Sequence, residues 1–315
     1  MRKKIMKYND LLLDEAEGVD SFLTKVERGR SYFKTGFDDF NERLGGLMPG
    51  GLHVIQGRAS VGKTTFCKQL ADQVHEINPE LPVFFFALVD SLETIRAMTF
   101  SRLTHDATPM KPIENRLIRR GGNALKKEEH EMLQVIVPRV KKLYGKDYFL
   151  VAGKPDTDVV AIRERVLKKL EQIGRPTALV VVDYLQILPA PKGEGLMHLT
   201  DRIDYNLHEL QCLARDMDGP VILVSSTTEE DMKDPEKRDE REPTKVKGSA
   251  DILYTPRVVF ELAEAEKEED YLAMQLYVLK NSEGEMDFPI CFRYYPWFSK
   301  FEEDMRLRES VRVKP

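Results

Sequence analysis

The 315-residue sequence predicts an α/β fold: a doubly wound, mostly parallel sheet flanked by helices, with antiparallel strands at the C-terminal side. Three observations support this fold class. Apolar runs of strand length alternate with amphipathic segments of helix length through most of the chain. A glycine-rich loop lies between the first of these runs and the first of these helices. Near the C-terminus, three apolar runs follow one another with no helical segment between them.

The predicted elements follow this alternation in order. The strands expected to be parallel are 52–56, 82–88, 147–153, 177–188 and 220–226. The helices expected between them are 63–75, 91–104, 159–173 and 202–216, together with a basic helical region, 107–146, that Gly121 and Gly122 interrupt. The closing antiparallel strands are expected within 257–263, 271–279 and 288–295.

The composition is that of an ordinary globular protein, with 42% hydrophobic and 32% charged residues. No apolar run reaches the length of a membrane span, and no apolar stretch follows the basic N-terminus, so we expect neither a membrane segment nor a signal peptide. The widely separated Cys67, Cys212 and Cys291 favour buried free thiols in a reducing, cytoplasmic setting. The net charge of −5 neither indicates nor excludes a nucleic-acid partner, because a ring can confine its basic residues to a central channel.

The N-terminal region predicts one further helix. Residues 8–28 place apolar side chains among acids and bases at roughly helical spacing, and Gly29 follows as a natural stop. We therefore expect an arm or linker helix over 1–30 and one domain over 31–315. The helix either packs on its own domain or docks on a neighbouring subunit, and the pattern leaves both open.

The stretch "GRASVGKT", residues 57–64, has the pattern of a phosphate-binding loop between a strand and a helix. Its glycines let the backbone N–H groups point inward, and the helix N-terminus adds partial positive charge. In such a loop Lys63 reaches the outer phosphates of ATP and Thr64 holds Mg²⁺. The residues predicted to bind the nucleotide are Gly57, Arg58, Ala59, Ser60, Val61, Gly62, Lys63, Thr64 and Thr65.

A carboxylate partner for this loop follows the apolar run 178–182. Asp183 stands at the carboxyl end of that predicted strand, which is the edge where doubly wound sheets bind ligands. A carboxylate there holds the magnesium shell. Aspartate also ends strands as an ordinary turn residue. The phosphate loop favours the magnesium role.

Several stretches together resemble one known family. The run 35–64, "VVVDYLQIL" at 180–188, "KGSADI" at 247–252 and the closing strands resemble the motor domain of DnaB-type replicative helicases, a branch of the RecA-like ATPases. The motifs keep the family's order over about 33–303, without its helical N-terminal domain. The resemblance implies a RecA-like fold and a homo-oligomeric, hexameric ring, with ATP bound between subunits and single-stranded DNA as partner.

Three positions depart from that family's pattern and bear on catalysis. The glutamate that orients the attacking water in the family is replaced by Val89, with Asp90 one residue later. One step along a strand reverses the side chain, so Asp90 substitutes only if the strand ends or bulges there. The family's γ-phosphate-sensing glutamine aligns with Ser226, and its arginine finger aligns with Ser282, while the associated lysine remains as Lys280. We therefore expect Lys63, Asp90, Asp183 and Lys280 to be the catalytic set, with weakened hydrolysis.

The resemblance also places two channel loops against DNA, at about 189–200 and 228–248. The candidate phosphate contacts in these loops are Lys192, Lys237, Arg238, Arg241, Lys245 and Lys247. Many acidic residues share the second loop and neither loop offers an aromatic stacking platform, so a solvated surface is the competing interpretation.

Two functional hypotheses follow. The first is an ATP-driven, ring-forming, helicase-like motor on single-stranded DNA, which the overall resemblance favours. The second is an assembly module of the same fold that binds ATP and hydrolyses it poorly, which Val89, Ser226 and Ser282 favour. A relative of recombinases or clock ATPases is a third, which the D-Y-L-Q stretch disfavours.

Overall fold

The computed structural model describes residues 31–107, 111–154, 157–190, 197–227 and 254–307, together with Val19, Leu23, Val26 and Glu27. The chain divides into two compact units, Met1–Tyr32 and Phe33–Pro315. The assignment of 1–30 as an arm and 31–315 as an ATPase domain stays a prediction.

In the first unit, Val19, Leu23, Val26 and Glu27 are helical. The three apolar side chains among them are exposed by 52%, 49% and 57%, in chain order. Val19 and Leu23 are four residues apart, and Leu23 and Val26 are three residues apart, so the three side chains lie on one face of a helix. The rest of the predicted helix 8–28 lies outside the described residues.

The second unit is built on one nine-stranded sheet with the strand order β3-β2-β4-β5-β1-β6-β7-β8-β9. Strands β1 to β6 pair in parallel, and β6 to β9 pair antiparallel. The predicted fold class is therefore confirmed. The strand bounds are β1 Leu52–Gln56, β2 Val83–Ala87, β3 Tyr148–Ala152, β4 Leu179–Asp183, β5 Val221–Val224, β6 Val258–Lys267, β7 Leu272–Asn281, β8 Phe288–Tyr295 and β9 Lys300–Glu303.

Helices cover the sheet, and their ends carry the expected signals. The helix bounds are α1 Asp38–Leu44, α2 Lys63–Ile77, α3 Leu92–Asp106, α4 Asn115–Arg120, α5 Lys127–Tyr144, α6 Val159–Ile173 and α7 Leu199–Asp216. Ser91 caps α3 by accepting a hydrogen bond from the Thr94 N–H, and Asp158 caps α6 in the same way from Ala161. No helix in the described ranges has the length and apolar character that crossing a bilayer requires.

Three predicted boundaries were wrong, and one of them is the end of β6, which continues to Lys267 instead of stopping at 263. The strand expected over 177–188 ends at Asp183, and a 3₁₀ turn over Leu185–Ile187 follows it. Leu185 and Leu188 are nevertheless fully buried, so their apolar character reflects burial in a turn rather than strand pairing. Helix α7 begins three residues before the expected start at Arg202.

The core lies on both faces of the parallel strands. β1, β2 and β4 are buried at all positions, which explains why they appear in the sequence as continuous apolar runs. One face packs on α6 and α7 through residues such as Val182 and Leu207. An aromatic cluster that includes Phe66 of α2 and Phe301 of β9 lies elsewhere in the core, with ring centroids 5.3 Å apart. Cys67, Cys212 and Cys291 are buried and form no disulfide, as predicted.

Candidate nucleotide-binding site

The phosphate loop connects β1 to α2 at the carboxyl edge of the sheet. Gly57 and Gly62 have φ of 154° and 102°, in the region that favours glycine. A Cβ on Gly57 would lie only 2.4 Å from the carbonyl oxygen of Leu262, so the loop packs against β6 at a distance that only glycine permits. Helix α2 starts at Lys63 and points its N-terminus at the loop. This arrangement fits a phosphate.

Lys63 lies inside the loop. Its Nζ donates hydrogen bonds to the carbonyl oxygens of Gly57, at 2.8 Å, and Arg58, at 2.5 Å. Burial lowers the pKa of Lys63, and the charge of Asp183 opposes that shift. The Lys63 ammonium group therefore interacts electrostatically with the Asp183 carboxylate. The sequence predicted that these two residues belong to one nucleotide site.

Asp183 ends β4 and is only 6% exposed. Burial, opposed by a hydrogen bond from Thr64 and by the charge of Lys63 and assisted by the charge of Asp90, raises the pKa of its carboxyl group to about 6. The Thr64 hydroxyl is thus hydrogen-bonded to the Asp183 carboxylate. Hydroxyl and carboxylate oxygens are the donors that Mg²⁺ prefers, so this pair fits the ion that a nucleotide would bring.

Asp90 reaches the same site because β2 stops early. The strand ends at Ala87, and the Leu88 N–H then donates to the backbone carbonyl of Asp183 at 2.9 Å. Val89 is 62% exposed, whereas the charge of Asp90 acts on Asp183. Because β2 ends at Ala87, strand alternation does not decide the direction of Asp90, and its role in place of the glutamate stays a prediction.

The end of β5 is held by a side chain that the sequence analysis missed. Gln186, in the turn after β4, donates from Nε2 to the Ser225 Oγ at 2.8 Å and to the Ser226 carbonyl at 3.2 Å. Its Oε1 accepts the Ser226 N–H at 3.2 Å. The next N–H, of Thr227, donates to the carbonyl oxygen of Gly57 at 3.3 Å. The backbone at Ser226 is thus tied both to the phosphate loop and to the turn after β4.

A buried charge cluster anchors the helix that carries Lys63. In α2, Lys68 and Asp72 form an ion pair, and Arg102 of α3 donates to the Asp72 Oδ2 at 2.6 Å. Thr99 donates to the same oxygen at 2.8 Å, and Lys68 donates to the Tyr148 hydroxyl of β3 at 3.2 Å. The cluster joins α2 to α3 and β3, and it lies about one and a half to two and a half helical turns beyond Lys63. The sequence signal for it, a Lys–Asp pair four residues apart, is the same as that of a surface pair.

Lys280 lies far from this site within the chain. Its Nζ donates to the Tyr254 carbonyl at 2.7 Å, beside the start of β6. The neighbouring Arg257 N–H donates to the carbonyl of Leu52, which is the first residue of β1. The phosphate loop follows Gln56, which is the last residue of β1. The structure therefore brings Lys63, Thr64, Asp90 and Asp183 together and leaves Lys280 at the opposite edge of the sheet.

The family model described as "DnaB-like helicase C terminal domain" matches residues 33–303. The chain belongs to this family. The match begins and ends within the second compact unit and includes the phosphate loop, β4 and the closing strands.

Curated relatives of this DnaB-like chain carry the same type of name. It is 27% identical over 217 residues to a "Probable replicative DNA helicase" of Guillardia theta, covering 69% of this chain and 33% of the relative. It is also 27% identical over 252 residues to "Replicative DNA helicase DnaB" of Haemophilus influenzae, covering 78% of this chain and 50% of the relative. The chain thus matches between a third and a half of these relatives' lengths.

Solved structures support the fold. One solved ATPase domain has a TM-score of 0.72 at 16% identity, with 91% of this chain and 98% of that chain covered. "The Structure Of A DnaB-Like Replicative Helicase And Its Interactions With Primase" has a TM-score of 0.73 at 16% identity, with 92% and 66% covered. At 16% identity, this structural similarity establishes a shared fold.

The DNA-contact candidates of this DnaB-like chain stay predictions. Lys192 lies in 191–196 and the other five candidates lie in 228–253, and both segments are outside the described residues. The structure describes only where the loops leave the sheet, at the turn after β4 and at the end of β5.

Proposed function

We propose that this chain is an ATP-driven, ring-forming motor domain that acts on single-stranded DNA, as a DnaB-like helicase does. One observation carries the proposal: Lys63 and Thr64 at the start of α2, Asp183 at the end of β4 and Asp90 just after β2 lie at the carboxyl edge of one parallel, RecA-like sheet. A phosphate cradle, a set of oxygen donors for a metal ion and a carboxylate in reach of water are the parts that phosphoryl transfer needs.

The residues divide into binding and reaction roles. The loop residues 57–65 hold the phosphates of ATP, with the Lys63 ammonium on the outer ones. Thr64 and Asp183 hold Mg²⁺, which neutralises charge on the phosphates when it is bound. Asp90 orients the attacking water. Its side chain is shorter than the glutamate that it replaces, so we expect slow turnover.

The incomplete site favours an oligomer. Within this chain, the phosphate loop has no cation from β7, because Lys280 lies at the opposite edge of the sheet. A neighbouring copy would bring Lys280 to the phosphates, as the family's ring arrangement implies. The exposed apolar face of Val19, Leu23 and Val26 offers a surface for the same association.

A second candidate function is an assembly module that binds ATP and hydrolyses it poorly. The observation in its favour is the identity of three side chains, since Val89, Ser226 and Ser282 cannot do what glutamate, glutamine and arginine do at those positions. The two functions share the binding site and differ in turnover.

The deciding experiment measures ATP binding and steady-state hydrolysis, with and without single-stranded DNA. We expect Mg²⁺-dependent binding and slow hydrolysis that DNA stimulates, and both should be lost in Lys63→Ala. Arg119→Ala, an exposed change on α4, serves as the matched control for loss of a positive charge. Binding without DNA-stimulated hydrolysis would support the assembly module, and unchanged binding and turnover in Lys63→Ala would refute the nucleotide site.

A further inference from the structure

Two cations, Arg257 and Lys280, lie close together at the start of β6 and the end of β7. Arg257, the residue before β6, accepts hydrogen bonds on its carbonyl oxygen from the Ser282 N–H and from the Ser282 hydroxyl, each at 3.0 Å. The pairing continues with Val258 opposite Asn281 and Val259 opposite Lys280. Arg257 is therefore the cross-strand partner of Ser282.

These hydrogen bonds place Arg257 beside Ser282, two residues from the strand position opposite Lys280. Arg257 and Ser282 lie just outside the paired strands, so their position is fixed by these hydrogen bonds and not by strand alternation. Burial lowers the pKa of Lys280 and the charge of Arg257 lowers it further, which is independent support for their proximity.

Like charges that lie close together on neighbouring strands repel each other, and a bound anion relieves that repulsion. The Lys280 ammonium is held in place by the Tyr254 carbonyl, which carries no compensating charge. No carboxylate of the described ranges is among the groups that shift the pKa of Lys280. The pair is thus suited to an anion from outside the hairpin.

That anion is not the nucleotide of the same chain. The Arg257 N–H is bonded to the carbonyl of Leu52, and the phosphate loop starts at Gly57. Five residues of extended strand, at about 3.3 Å each, separate these points by roughly 16 Å. A guanidinium at the amino edge of β1 does not span that distance, so the phosphates that it can reach belong to another molecule.

We propose that Arg257 supplies the guanidinium that position 282 lacks, acting with Lys280 on the outer phosphates of ATP held by an adjacent copy of this chain. This inference rests on the proposed function. Hydrolysis breaks the bond from the γ-phosphorus to the bridging oxygen and forms one to a water oxygen. ADP and inorganic phosphate leave, with one water proton kept on the phosphate and the other released. Arg257 is not consumed; its planar fork stabilises the charge on the transferring oxygens.

The first test is single-turnover ATP hydrolysis at saturating DNA. Arg257→Ala should slow hydrolysis on the order of 10³-fold, the lower end of the range for such an arginine, with the nucleotide Kd nearly unchanged. Arg257→Lys should be intermediate, because an ammonium is a point charge. Adding Ser282→Arg to Arg257→Ala should restore much of the rate, since the two residues are adjacent at the end of the hairpin. Arg119→Ala is the control and should match the parent.

The second test asks whether Arg257 acts between subunits. Arg257→Ala and Lys63→Ala are each slow alone, and mixing them should restore activity, because some interfaces then pair an intact loop with an intact arginine. No recovery on mixing, or a parent-like rate for Arg257→Ala, would overturn the inference while the proposed function stands. A parent that binds ATP but never hydrolyses it would overturn both.

Discussion

Asparagine in place of Asp72 should destabilise the fold and loosen the phosphate loop. The Asp72 carboxylate lies between two buried cations, Lys68 and Arg102, whose side chains are 0% and 6% exposed. Removing its charge leaves both cations uncompensated in the interior, which costs about 3–5 kcal/mol. For a domain of this size, about 2 °C of melting temperature is lost per kcal/mol, so we expect a fall of roughly 6–10 °C.

The same cluster gives the pH dependence of this effect. Burial by itself would raise the pKa of Asp72, but Lys68 and Arg102 overcome it and hold the pKa at about 2, below the ordinary 3.8. A lowered carboxyl pKa means that its stabilisation is fully present above about pH 4 and is lost as the pH falls towards about 2. The stability difference between the parent and Asp72→Asn should therefore shrink across that window.

The assay is thermal and urea unfolding of both proteins, together with nucleotide titration. Glu76→Gln, an exposed neutralisation on the same helix, is the matched control and should change stability little. Nucleotide affinity should fall in Asp72→Asn, because α2 carries Lys63. A loss of less than about 1 kcal/mol at neutral pH, or a difference that stays constant through the acid window, would refute the argument from buried charge.

Three further outcomes are expected. Asp90→Asn should slow single-turnover hydrolysis on the order of 10²-fold with ATP binding nearly unchanged, and fast hydrolysis in that variant would assign the water to another carboxylate. Asp183→Asn should stabilise the metal-free protein at neutral pH by up to about 3 kcal/mol, because a folded-state pKa of about 6 against 3.8 is worth about 1.36 kcal/mol per unit. The raised pKa makes the parent's deficit grow from about pH 4 to about pH 6, so calorimetry should find no gain below that window. Deleting 1–29 should shift the protein towards monomer in light scattering, and a full-length protein that stays monomeric with ATP and DNA would contradict the role of this segment.

The parallel half of the fold could be predicted because its strands have a clear sequence signal. β2 and β4 are buried along their whole length, and such strands appear as unbroken apolar runs next to helical periodicity. The boundaries were harder to predict for the same reason. Leu185 and Leu188 remain apolar because they are buried, although the chain has already turned, so hydropathy could not locate the end of β4.

Only some residues of the candidate site could be predicted from the sequence. Lys63 and Thr64 follow from a local pattern, and Asp183 follows from its place after an apolar run. Asp90 could not be decided from sequence, because its direction depends on where β2 stops. Arg257 and Gln186 were missed because their meaning depends on cross-strand register and on the reach of a side chain between neighbouring strands.

Two of the departures from the family's pattern have one property in common. Both missing groups have a charged residue close to the vacant position: Asp90 follows Val89, and Arg257 is hydrogen-bonded through its carbonyl to Ser282. Phosphoryl transfer depends on where charge and donors lie around the phosphate, not on which residue number carries them. A chain that only bound ATP would need the loop and Asp183, and nothing would favour an arginine beside Lys280 where like charges repel. If Asp90 and Arg257 act as proposed, the chain is a motor with relocated catalytic groups and not an assembly module that has lost them.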